Sequence, residues 1–312
     1  MDGVLNINKS SGMTSHDVVD RIRRIVKSKR TRVGHTGTLD PMATGVLPLC
    51  IGRATKISQF LLAQDKEYDV EMKLGFVTDS QDTTGKILEE IPVPEIAVTG
   101  VQEVFKQFHG EQLQIPPMVS AKHHKGKRLY ELARQGVEVK RQPCKIYIHE
   151  LTFLLIDLPV IRFRVTCSKG TYIRTLCHDL GKALKSGAAM SALTRIRCGS
   201  FHIDNSIPLE RIRSKEDIEQ SLGDMNDALS SLPSVMVGSE GKSYLHCGRS
   251  LSGGVITRRN GEFASGSLVR LNARDGSLLG VGEALLGSDR LDALAGNLHV
   301  IRPIKVFQKS SI

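Results

Sequence analysis

The 312-residue chain predicts an α+β fold followed by a small β-rich C-terminal domain, on three observations. Apolar residues alternate with polar ones over 68–74 and 161–167, the mark of half-buried strands. Apolar residues also recur at helical spacing after Thr14 and after Gly170, with no regular strand–helix repeat of the kind a parallel sheet needs. Beyond about Pro233 glycine becomes frequent, and the short apolar runs 268–271 and 278–281 flank the turn signal Asp275-Gly276.

Thr14-Ser15-His16-Asp17 reads as a capping box, and Val18, Val19, Ile22, Ile25 and Val26 then form one apolar stripe. Ser15, His16 and Asp17 are triad residue types, but neighbours along a chain cannot stack into a relay, so the cap is the better reading. Residues 30–48, rich in Gly, Thr and Pro, are expected to form a loop. A second short helix is expected over 55–64, with Ile57, Phe60 and Leu61 facing inward. Tyr68, Val70, Met72 and Leu74 give the first strand its inner face, and Ile161, Phe163, Val165 and Cys167 the second. Ile173, Leu176, Cys177, Leu180 and Leu184 make another helical stripe that Gly187 stops. The domain boundary is expected near 230, giving domains 1–230 and 231–312.

Composition narrows the partners. The formal charge is +10, which favours a polyanion, either nucleic acid or an anionic membrane surface. Residues 1–60 hold ten Lys and Arg against four Asp, and residues 122–145 hold eight against two Glu. These two segments carry the whole excess, so they are the candidate phosphate-binding surface. No run reaches the ~20 apolar residues of a membrane helix; the most apolar stretch, 151–163, is broken by Asp157, Pro159 and Arg162. The N-terminus has neither a basic start nor an apolar run, so a cytoplasmic location is expected. The six cysteines include no CxxC pair and read as small buried or half-buried hydrophobes, with no metal site. Gly241-Lys242-Ser243 mimics the end of a phosphate-binding P-loop, but Met236 stands where the required Gly would be.

The informative stretch is Gly34-His35-Thr36-Gly37-Thr38-Leu39-Asp40-Pro41. Pro41 pushes Asp40 towards extended angles, and the glycines permit close backbone approach by a ligand. By itself Asp40 equally suits an Asx turn or a cap, and His35 a structural loop histidine. Carried on through Ala43-Thr44-Gly45-Val46-Leu47-Pro48, the segment resembles the GHxGTLDPxATGxLP signature of the TruB family of tRNA pseudouridine synthases. Asn8-Lys9, Gly12 and Ser15-His16-Asp17 resemble the family's KPxGxxSHD segment, with Ser10 where Pro is usual. Lys66-Glu67-Tyr68 resembles its second motif, and Asp79, Asp82-Thr83 and Gly85 its DxxDxxG turn. The run from Pro116-Pro117 through Ser120-Ala121-Lys122 to Arg134 resembles its RNA-gripping insertion (about 117–145), and Gly170-Thr171-Tyr172-Ile173-Arg174 its third catalytic motif. The C-terminal segment is similar to a PUA-like RNA-binding domain.

The resemblance implies a fold with a mixed central sheet and flanking helices, and conversion of uridine 55 in the tRNA T-loop to pseudouridine. It implies Asp40 as the aspartate that initiates cleavage of the glycosidic bond, Arg174 as its ion-pair partner, and Tyr68 as the ring that stacks on the target base. Read from the residues alone, Arg174 equally suits a surface arginine on an amphipathic helix, and Tyr68 a core tyrosine. His35 would help extract the uridine, and Tyr172 and Leu193 would line the pocket, although a core leucine serves as well at 193. No cofactor is implied, because moving uracil from an N1 to a C5 link needs neither redox nor an energy source. The target base must be flipped out of the RNA, with the basic segments gripping the T-loop and T-stem. The family's guide-RNA-dependent relatives carry an extended N-terminus, whereas here the first motif begins within ten residues. A stand-alone enzyme without guide RNA is therefore expected; a monomer with no obligate protein partner is expected too, and a second role as a tRNA-folding chaperone stays open beside catalysis.

Overall fold

The computed structural model describes all residues except 29, 121, 125, 292–295, 297 and 308–312. In chain order its first strands are β1 (Gly3–Lys9), β2 (Val33–His35), β3 (Thr44–Ile51) and β4 (Lys66–Leu74). A hairpin of β5 (Phe76–Thr78) and β6 (Ile87–Glu90) follows, then β7 (Gly110–Gln114) and a small hairpin of β8 (His123–His124) and β9 (Lys127–Arg128). The strands β10 (Cys144–Asp157), β11 (Val160–Cys167), β12 (Ala188–Cys198), β13 (Phe201–His202) and β14 (Ile207–Pro208) complete this part. The mixed sheet runs β14-β1-β3-β12-β4-β11-β10-β7, with β2 beside β3 and β13 beside β12.

Helices α1 (Ser15–Val26), α3 (Val98–Gln107) and α5 (Ile173–Ala183) lie on one face of this sheet; the short α2 (Ser58–Leu62) and α4 (Leu129–Arg134) lie outside that layer. The capping box of α1 forms as expected: Asp17 N–H donates to Thr14 Oγ1 at 3.1 Å, and Thr14 N–H donates to Asp17 Oδ2 at 2.8 Å. Val18, Val19, Ile22 and Val26 of α1 are buried against the inner residues of β1, β3 and β4. Phe105 of α3 meets Phe163 of β11 edge to face, ring centres 5.4 Å apart. The alternation predicted in β4 and β11 is observed, and β4 pairs along its length with β11 on one side and β12 on the other.

Three expectations need correction. Residues 30–48 are not all loop, since β2 and the first half of β3 fall within them. β3 is buried from Gly45 through Ile51, with Leu47, Leu49 and Ile51 in the helix-side core and Cys50 in a second cluster on the other face. A strand covered on both faces shows no period of two, which is why the sequence disguised it. The helix expected over 55–64 is split into a 3-10 turn (Gly52–Lys56) and α2, although Ile57, Phe60 and Leu61 are buried as predicted. Of the cysteines, Cys247 is exposed rather than buried, at the end of a polar helix.

The C-terminal sheet has six strands: β15 (Ser234–Val237), β16 (Leu251–Ser252), β17 (Ile256–Asn260), β18 (Leu268–Ala273), β19 (Leu278–Ala284) and β20 (His299–Val306). Their order is β16-β20-β19-β18-β15-β17. The predicted hairpin is β18–β19, turned at Gly276 with φ +79°. Val281 and Phe307 of this part join Val4, Cys50, Ile57, Phe60 and Leu61 in one apolar cluster at the seam. Among the described residues no helix is long and apolar enough to cross a membrane.

Candidate active site

The motif loop between β2 and β3 is held from three sides. Ser15, the first residue of α1, is buried and clamps Leu39 twice: its Oγ accepts from Leu39 N–H at 2.8 Å and donates to Leu39 O at 3.1 Å. Lys9, at the end of β1, is fully buried, and its Nζ donates to the carbonyls of Met13 (2.7 Å), Ser10 (2.9 Å) and Pro41 (3.2 Å). Burial pushes the Lys9 ammonium down to about 8, while the neighbouring Asp40 works in the opposite direction. Ser10, the departure from the family motif, places its hydroxyl on Glu210 at 2.9 Å. Lys9 was counted with the basic N-terminal segment, but it serves the loop from inside and adds nothing to a phosphate-facing surface.

So braced, the loop presents Asp40 to α5. Arg174 Nε donates to Asp40 Oδ2 at 2.9 Å and Nη2 to Oδ1 at 3.0 Å, a two-point pair between residues 134 apart in sequence. The Arg174 side chain is 5% exposed and that of Asp40 30%, so the carboxylate is the partner that reaches solvent. Two further guanidinium hydrogens are used, one of Nη1 on Ser80 O at 3.0 Å and one of Nη2 on Val119 O at 2.8 Å. Asp82 lies 3.8 Å from Nη1, its Oδ1 tied to Ser80 Oγ and to the backbone and hydroxyl of Thr84. A guanidinium anchored this way holds the carboxylate in place, its planar fork fixing the orientation of both oxygens.

Tyr68 is buried on β4, opposite Arg195 of β12. Burial pushes its phenol well above the usual range, and the charge of the nearby Arg195 guanidinium partly opposes that shift. Arg195 is 1% exposed, and it donates to Val46 O at 2.6 Å and Gly37 O at 3.0 Å. Gly37 adopts φ +129°, and its N–H meets His35 Nδ1 at 3.4 Å. Gly45, at φ +98°, lies so close to Arg195 that a Cβ would fall 2.3 Å from its carbonyl oxygen. Arg195 thus links Tyr68, the motif loop and, through Gly37, His35.

Tyr172, half-buried, is the residue before α5, two positions ahead of Arg174. Leu193 is buried in the core opposite Val70, two residues from Arg195. Among the described residues no cluster of His, Cys, Asp and Glu is arranged to hold a metal. Sequence reasoning picked out Asp40, Tyr68 and Arg174, and the structure sets Asp40 against Arg174. It missed the inward roles of Lys9, Ser15, Asp82 and Arg195. Lys9, Ser15 and Asp82 stand inside segments matched to the family, but the charge pattern pointed Lys9 to solvent and the capping pattern Ser15 to a helix end.

A partly exposed carboxylate fixed at two points by a buried arginine suits attack on an electron-poor carbon. The model for the N-terminal domain of TruB family pseudouridylate synthases matches residues 23–173, and that for the C-terminal domain of tRNA pseudouridylate synthase B matches residues 174–231. The tRNA pseudouridine synthase B of Pelotomaculum thermopropionicum is 43% identical over 292 residues, 91% of this chain and 92% of that protein. The same enzyme of Clostridium acetobutylicum is 48% identical over 237 residues, 76% of this chain and 81% of that protein. Among solved structures, one chain of a Cbf5–Nop10–Gar1 complex matches with a TM-score of 0.78 at 29% identity, over 98% of this chain and 85% of that one. Fold and site therefore define a pseudouridylate synthase. Within that class, the chain belongs to the TruB family.

Proposed function

We infer that this enzyme isomerises uridine 55 in the T-loop of tRNA to pseudouridine. The reaction breaks the N1–C1′ glycosidic bond, joins C5 to C1′, loses the C5 proton to water and protonates N1. It therefore balances with no cofactor. The observation that carries the reading is the two-point Asp40–Arg174 pair, which aims one carboxylate oxygen pair from a braced loop. Family membership supports the substrate and the reaction. In this reading Asp40 initiates glycosidic cleavage and Arg174 keeps it oriented. Tyr68 supports the base, while His35, Tyr172 and Leu193 line the pocket that receives the flipped uridine.

Residues 1–230 act as the catalytic domain and 231–312 as a PUA-like RNA-binding domain, with the insertion at 117–145 gripping the T-stem. The enzyme acts in the cytoplasm as a monomer, on tRNA alone, without guide RNA or membrane. Tritium release from C5-labelled uridine in an unmodified tRNA transcript tests the reading. Wild type should release tritium, and Asp40→Asn should lose turnover by on the order of 10⁴-fold while still binding the RNA. Turnover surviving in Asp40→Asn would remove Asp40 from its role.

A further inference from the structure

Gln114 ends β7 and is the last strand residue before the insertion. It is 4% exposed, an unusual place for a polar side chain, and it spends both ends of its carboxamide on one neighbour. Oε1 accepts from Tyr172 N–H at 2.8 Å, and Nε2 donates to Tyr172 O at 3.0 Å. Tyr172 is the cap position of α5, where no side chain of its own closes the helix start. Its carbonyl also accepts the first helical bond, from Leu176 N–H at 3.0 Å. The carboxamide of Gln114 therefore pins the backbone of the cap residue, satisfying its orphan N–H as the far side chain of a capping box would.

Arg174 is the second residue of that helix, so its guanidinium follows the position of the first turn. Five residues beyond Gln114 the same segment touches α5 again, where Val119 O accepts from Arg174 Nη2 at 2.8 Å beside the Asp40 contact. The root of the insertion thus holds α5 at its cap and its catalytic arginine at the tip.

We propose that Gln114 is a positioning residue for the isomerisation: its carboxamide sets the first turn of α5 so that Arg174 meets Asp40 in register. This rests on the reading of Asp40 and Arg174 given above. It ties the segment that grips RNA to the ion pair that does the chemistry. A two-point pair tolerates little displacement, and a shift of about 1 Å at a reacting group costs roughly 10²-fold in rate.

The test uses the full chain and an unmodified tRNA transcript, comparing wild type with Gln114→Met, Gln114→Glu and Asp40→Asn. Methionine keeps the length of the side chain and removes both hydrogen bonds. Glutamate keeps an acceptor for Tyr172 N–H, lacks a donor for Tyr172 O, and covers the case in which the methionine variant misfolds. The single-turnover rate at saturating RNA should fall 10- to 100-fold in Gln114→Met and by a smaller factor in Gln114→Glu. The RNA Kd should stay within threefold of wild type. Hydrogen exchange at the Tyr172 amide should quicken in Gln114→Met and less in Gln114→Glu, while the Leu180 amide, further along α5, keeps its protection.

Rates within twofold of wild type in both variants, with Asp40→Asn inactive, would overturn the proposal and leave the active-site reading intact. Rate loss with Tyr172 and Leu180 exchanging together would also overturn it, because Gln114 would then hold up the fold only. Turnover in Asp40→Asn would sink the active-site reading itself, and the proposal with it.

Discussion

The two faces of the central sheet use the same residue types to different ends. On the face away from the helices, Arg162 of β11 pairs with Glu71 of β4 at 2.9 Å, and Arg164 pairs with Asp69 at 2.6 and 2.8 Å. These arginine side chains are 57% and 45% exposed. On the helix side, Arg174 and Arg195 are almost wholly buried. The exposed pairs have water to fall back on, so each contributes little. The buried cations have no such alternative. Their hydrogens go to Val46 O, Gly37 O, Ser80 O and Val119 O, and only Arg174 spends any on a fully engaged carboxylate. The lesson is that burial, not the presence of an ion pair, turns a charge into a rigid part of a site.

The sharpest way to break this contrast is Arg195→Leu. It orphans two buried carbonyls, so urea unfolding should show a loss of about 3 kcal/mol, with turnover falling as well. Arg174→Lys comes next, since it keeps the charge but cannot make the two-point pair. Its kcat should fall by roughly 10²-fold at nearly unchanged RNA affinity, read by single-turnover tritium release.

Lys9 gives a pH signature. Its ordinary value of 10.5 is lowered to about 8 in the folded protein, so between those pH values the unfolded chain holds a proton that the folded chain has released. Stability from this group therefore rises with pH across that window. The urea midpoint of wild type should gain on that of Lys9→Met from pH 8 to pH 10, and the gap should be flat below pH 7. The smallest effect belongs to the open face, where Arg164→Ala should cost under ~1 kcal/mol and leave turnover unchanged. A larger loss there would erase the distinction between the two faces.

What residues close together in the chain decide, the sequence already shows. Thr14 and Asp17 cap α1 because their donors and acceptors lie three residues apart. The alternation of β4 and β11 follows from a strand's period of two. The motif around Asp40 was legible as a motif. Which way Lys9 and Arg195 point was not, because their acceptors come from loops and strands far along the chain. β12 also shifts register between Met190 and Ala192 and between Arg195 and Arg197, which breaks the alternation that would have placed Arg195. The twofold burial of β3 hid it for a related reason, since both of its faces are defined by other segments. Local periodicity is written into neighbouring residues. The destination of a charge is settled only when tertiary packing brings an acceptor to it, as when α5 carries Arg174 to Asp40.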